Sequence, residues 1–109
     1  MAQNQNPIQD RRIQLQKMLV DILGSEQVYF QPPATVKMTY PCIVYNLADI
    51  NSRYADNIPY LHRRRYSVTV IDRDPDSVIR DKLSDVECCA FERAFTSDNL
   101  YHYVFRLIF

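Results

Sequence analysis

The stretch Tyr66-Ser67-Val68-Thr69-Val70-Ile71-Asp72-Arg73-Asp74-Pro75-Asp76-Ser77-Val78-Ile79-Arg80-Asp81-Lys82-Leu83 decides the fold class. Its first half alternates: Tyr66, Val68 and Val70 fall on one face, the period-two pattern of a strand with one buried side. Its second half changes period. Asp74 reads as a helix cap, Pro75 suits the first helical position, and Asp76 suits the positive end of the helix dipole. Ile79, Leu83 and Val86 then recur at helical spacing, which predicts a helix ending near Val86 or Glu87. A strand thus runs into a helix through a short acidic turn.

Upstream, the strand begins at Leu61 and is preceded by a polar excursion, residues 51–60. Turn formers dominate the excursion, and Tyr54, Ile58 and Tyr60 are its possible anchors. Before it, Cys42-Ile43-Val44-Tyr45-Asn46-Leu47 opens a strand predicted to reach about Arg53. The two strands make a long hairpin with the excursion at its tip. Val28-Tyr29-Phe30 has strand composition and stops at Pro32-Pro33. Asn6-Pro7 starts a helix; Ile8, Leu15, Leu19 and Ile22 form its apolar stripe, and Gly24 ends it. Residues 1–6 read as a flexible arm.

Downstream, Cys89-Phe91-Arg93-Phe95 alternates with Ala90-Glu92-Ala94-Thr96. Thr96-Ser97-Asp98-Asn99 reads as a turn. The last strand places Tyr101, Tyr103, Phe105, Leu107 and Phe109 on one face. Leu100, His102, Val104, Arg106 and Ile108 lie on the other. The order is α-β-β-β-α-β-β: an α+β, two-layer domain with an antiparallel sheet of four to five strands and two helices on one face.

The chain's 109 residues suit a single domain, 1–109. Hydrophobic residues make up 47% and charged residues 24%, a globular balance that excludes a low-complexity linker. Thirteen basic and thirteen acidic residues cancel, which argues against a protein built mainly to grip nucleic-acid phosphates. No apolar run approaches the ~20 residues of a membrane helix, and the polar start does not resemble a signal peptide. The expectation is a soluble chain in a cytoplasm, with no membrane partner.

Chemistry-bearing patterns are few. Gly24 is the single glycine, so a glycine-rich phosphate loop is excluded. Cys42, Cys88 and Cys89 are an odd set with an adjacent pair, a poor disulfide framework, and read as buried thiols. His62 and His102 stand apart from them, so neither a metal nor a cofactor is expected. Cys88 or Cys89 with His102 is the one conceivable nucleophile–base pair, and nothing orients the histidine. The Asp72–Asp76 cluster is absorbed by capping.

His62-Arg63-Arg64-Arg65 is the one dense basic run. On a strand Arg63 and Arg65 face one way and Arg64 the other, which weakens a single-face phosphate grip. The run reads as a charged hairpin stem, a contact for acidic groups on another subunit, or a contact for DNA. Ile13 and Val20 lie one heptad apart, off the main stripe of the first helix. They read as scattered surface residues or as a second seam against a neighbour. Eight tyrosines are too many for the core of so small a domain, and tyrosine is favoured at subunit contacts.

Tyr40-Pro41-Cys42-Ile43-Val44-Tyr45, Tyr54-Ala55-Asp56-Asn57 with Tyr60, Tyr66 to Asp72, Asp74-Pro75-Asp76-Ser77, Phe91-Glu92-Arg93 and Asp98-Asn99-Leu100-Tyr101-His102 together resemble one family. They are similar to the tail-completion, or tail-terminator (tail-to-head joining), proteins of long-tailed bacteriophages. The order and spacing of the fragments carry the likeness over nearly the whole chain.

The resemblance implies a structural virion protein at the head–tail neck, without catalytic residues or cofactor. Such subunits form a ring, usually a homohexamer. The ring caps the tail tube of major tail-tube protein and offers a docking surface to the head-completion (connector) protein. Viral DNA passes through the centre without specific binding. The excursion with Tyr54, Asp56, Asn57 and Tyr60 would project toward a partner. Arg63, Arg64 and Arg65 would make contacts, as would Ile13 and Val20. A ring needs two different patches on each subunit; the sheet face with Val104, Arg106 and Ile108 is the second candidate. Another neck or tail component, a head-completion adaptor or minor tail protein, shares this plan. A small nucleic-acid-binding module and a Cys/His enzyme are the readings from other classes.

Overall fold

The structure, a computed structural model, describes residues 7–50 and 64–109. These hold helix α1 (Pro7–Leu23), strand β1 (Val28–Phe30), strand β2 (Cys42–Ile50), strand β3 (Arg64–Asp72), helix α2 (Val78–Ser84), strand β4 (Cys89–Ser97) and strand β5 (Leu100–Ile108). They form an α+β domain whose five-stranded sheet has the order β1-β2-β3-β5-β4. The element order read from the sequence holds. The arm 1–6 and the excursion 51–60 lie outside the described residues, as do the outer ends of the hairpin strands.

Helix α1 ends as the sequence predicts. Gly24 takes φ +83 and donates its N–H to the Val20 carbonyl at 2.8 Å, a left-handed C-terminal stop that suits glycine. Leu15 and Leu19 are fully buried. Leu83 of α2 joins them, and both helices lie on one sheet face over Ile43, Tyr45, Tyr66, Val68, Val70, Tyr103, Phe105 and Leu107. Tyr66, Val68 and Val70 lie opposite Leu107, Phe105 and Tyr103, so the period-two pattern seen in the sequence builds the centre of the core.

The sheet is mixed rather than wholly antiparallel. β1 runs parallel to β2, Val28 opposite Ile43 and Phe30 opposite Tyr45. Pro32 and Pro33 end β1, and residues 31–41 carry the chain back along the sheet. β2 therefore starts beside the start of β1, as parallel pairing requires. The other three pairs are antiparallel. Asp98 and Asn99 both take positive φ, 55 and 64, the mirror-image turn that matches strand twist. The turn is therefore tighter than the four residues read from the sequence.

The acidic turn before α2 departs from the sequence reading. Ser77, not Asp74, is the N-cap; its Oγ accepts the Arg80 N–H at 3.2 Å. Asp74 instead accepts the N–H of Asp76 at 2.9 Å, and Asp72 that of Asp74 at 3.1 Å. These are successive Asx turns. The Pro75 carbonyl is taken by the Tyr103 hydroxyl at 2.9 Å and by Arg80 at 3.2 Å. With that carbonyl engaged by side chains, the helix begins later; it ends at Ser84, short of the predicted Val86 or Glu87, with Asp85 as its C-cap.

A second correction concerns β4. The pairing skips one residue between Phe91 and Arg93: Phe91 faces Phe105 while Arg93 faces Val104. This β-bulge reverses the alternation downstream. Phe91 shares the helix-covered face with Phe105, whereas Arg93 and Phe95 turn to the other face, where Phe95 stacks on His102 at 4.6 Å. The four residues Cys89, Phe91, Arg93 and Phe95 do not share one face.

Candidate assembly surfaces

The side chains singled out from the sequence do not converge on one place. Ile13 is 39% exposed on the outer side of α1. Val20 leans on the core together with Met18, Ile22 and Leu23. The buried arc of α1 widens over its last turns and takes in Val20, so Ile13 and Val20 do not make one exposed seam. On the sheet face opposite the helices, Val104 is buried, Arg106 is exposed and Ile108 is 39% exposed. Only the last two of that trio offer surface.

Arg64 and Arg65 open β3, opposite Ile50 and Asp49. Their alternation holds. Arg64 is on the face of Tyr66, and Arg65 is on the face of Ser67 and Arg106. Both are half-buried and engaged with neighbours. Arg63, Tyr54, Asp56, Asn57 and Tyr60 lie outside the described residues.

Beside Arg64, α1 supplies two arginines that the sequence reading passed over. Arg11 donates to the Phe109 carbonyl at 2.8 and 3.2 Å and lies 4.7 Å over the Phe109 ring. Arg12 lies 4.7 Å over Phe30 and reaches the Tyr45 hydroxyl, which in turn donates to Gln16 at 2.5 Å. Burial pushes the Tyr45 and Tyr66 hydroxyls up from their ordinary value, and the nearby arginines pull partly back. Arg11 and Arg12 thus clamp α1 to the sheet through aromatic faces, where a guanidinium is held by the ring quadrupole. The one available signal was their place flanking the stripe of α1.

A groove of about 420 Å³ opens between α1 and the segment joining α2 to β4, lined by Arg11, Met18, Val86, Cys88, Leu107 and Phe109. Its arginine is already engaged by Phe109.

The Cys/His pair is not brought together. Cys89 faces Leu107 on the helix-covered side, while His102 lies opposite Phe95 on the other. Burial pushes the Cys89 thiol up to about 11, the wrong direction for a nucleophile, which needs thiolate near neutral pH. Cys42 is likewise pushed up to about 11. Cys88 is exposed, with φ 63, in the turn just before β4. Among the described residues no three His, Cys, Asp or Glu side chains cluster as metal ligands, and no helix is long and apolar enough to cross a membrane.

Among the described residues, β4 is exposed along nearly its whole length. It is an edge strand, and from Ala90 to Ser97 every residue is exposed. Phe91 is 54% and Phe95 42% exposed. Sequence pattern missed this surface because the strand looked like core on one face; its position at the sheet edge decides its exposure.

No protein-family model, curated protein or solved structure matches the chain. The functional reading rests on the residues and the fold.

Proposed function

We propose that this chain is a structural virion protein of the phage neck, a ring-forming tail terminator. In this reading six copies cap the tube of major tail-tube protein, end its growth and present a surface to the head-completion protein. DNA passes through without specific binding. The observation that supports it is the element order: a leading helix, a hairpin-built sheet and a second helix on the same face, as the sequence resemblance implies. The surface agrees with an assembly role. Exposed apolar side chains sit on five elements, Ile13 on α1, Leu47 on β2, Val78 on α2, Phe91 and Phe95 on β4 and Ile108 on β5, and a closed ring needs two unlike patches. A head-completion adaptor or minor tail protein would use the same surfaces on another neighbour.

Deleting the gene from the phage or prophage genome that carries it tests the reading. The expected phenotype is DNA-filled heads beside unattached tails of uncontrolled length. Normal joined virions would overturn it. Tails of normal length that fail to join would move the chain to the adaptor role.

A further inference from the structure

The free edge of β4 carries its own complement. An exposed edge strand displays unpaired N–H and C=O groups and invites another strand. Here the bulge sets the registers in which a second β4 can meet the first. Upstream of it Cys89 and Phe91 lie on the helix-covered face; downstream Ala94 lies there, opposite Tyr103, and Thr96 follows. An ordinary strand crosses such a reversal by setting one residue against two, as β5 does between Phe91 and Arg93; a second β4, aligned bulge to bulge, meets it residue for residue.

We propose that β4 pairs antiparallel with β4 of a second copy about a two-fold axis between Glu92 and Arg93, joining two five-stranded sheets into one of ten. In this register Glu92 faces Arg93 of the second copy, and Arg93 faces its Glu92. Phe91 faces Ala94, Phe95 faces Ala90, and Cys89 faces Thr96. The pairs Phe91–Ala94, Phe95–Ala90 and Cys89–Thr96 each fall on a common face, because the reversal in one strand is met by the reversal in the other. A register shifted by one residue would set Phe91 against Phe95 from opposite faces.

Two features make a second copy the fitting occupant. The first is charge. Glu92 and Arg93 are 43% and 61% exposed and approach within 3.8 Å of each other along the strand; the two-fold relation adds two cross-strand pairs of opposite sign. Opposite charges directly across a sheet stabilise, and like charges destabilise. The second is size. Each phenylalanine meets an alanine, so bulk fills space rather than colliding. The contact is isologous and closes at two copies. It therefore describes the free subunit, and it opens before a head-to-tail ring forms. It does not rest on the neck reading.

Sedimentation velocity of the full chain across a wide concentration range tests the contact. The wild-type chain should be a dimer that dissociates on dilution. Glu92→Arg and Arg93→Glu each place two like-charge pairs across the axis and should weaken the dimer by about tenfold or more. The double variant Glu92→Arg/Arg93→Glu restores opposite charges and should recover the wild-type constant. Both positions are exposed, and circular dichroism checks that each variant is folded. A wild-type monomer at all concentrations would overturn the proposal. So would an oligomer insensitive to the single variants, or a double variant as weak as the singles. Each outcome is read on the free chain with no tail tube present, so it is distinguishable from the test of capping.

Discussion

The Tyr103 hydroxyl donates to the Pro75 carbonyl at 2.9 Å, tying the interior strand β5 to the turn that starts α2. Arg80 donates to the same carbonyl at 3.2 Å and lies 4.9 Å over the Tyr103 ring. The three residues fix where the helix begins. Tyr103→Phe removes one neutral hydrogen bond while Arg80 still satisfies the carbonyl. We expect a loss of about 1 kcal/mol in urea unfolding, with the denaturant slope unchanged.

Ser77 carries more of the same junction. It is fully buried and is the N-cap of α2. Ser77→Ala should cost about 1–2 kcal/mol, whereas Asp74→Ala, an exposed turn residue, should cost well under half of that. Equal losses would place the cap at Asp74. Leu83→Ala, which opens a cavity between α2 and the sheet, should cost about 2–5 kcal/mol.

These residues also show what the sequence could and could not tell. The alternation of Tyr66, Val68 and Val70 and the helical spacing of Leu15 and Leu19 record burial directly, so the layers and element order were legible. The position of the α2 cap was not. Asp74-Pro75 carries a strong local start signal, and a tertiary contact from Tyr103, 28 residues away, overrides it. The bulge at Glu92 leaves no mark in composition, yet it decides which face Phe95 takes. The parallel pairing of β1 depends on the path of residues 31–41, which local pattern does not encode. Ile13 is exposed. Val20 was not separable from it, because heptad spacing alone cannot show how wide an arc the core covers.

The three cysteines should separate in thiol labelling. Cys88 is exposed and should react first, while Cys42 is fully buried and Cys89 half-buried. With Cys42 and Cys89 pushed up to about 11 from an ordinary 9.0, both should resist iodoacetamide at pH 8 in the native state. All three should label on unfolding. Native labelling of Cys89 as fast as an unfolded thiol would contradict its burial.

The same two thiols give a pH dependence. Below pH 9 they stay protonated in both the folded and unfolded chain. Above it the unfolded thiols release their protons while the folded ones hold theirs to about 11. Their contribution is therefore full below pH 9 and declines as the pH rises from 9 to 11. Cys42→Ala/Cys89→Ala should flatten that decline, as measured by urea unfolding at pH 8, 9 and 10.

A tail terminator, the role proposed for this chain, ends the growth of the tail tube. The most direct measurement adds the purified chain to the major tail-tube protein encoded by the same genome while the tube polymerises. Tube lengths and tube ends are then read by electron microscopy. A terminator should give shortened tubes whose length falls with added chain, each capped at one end by a ring of this protein, with Ile13→Asp impaired in capping. Tubes that grow to the same length with bare ends would contradict that role.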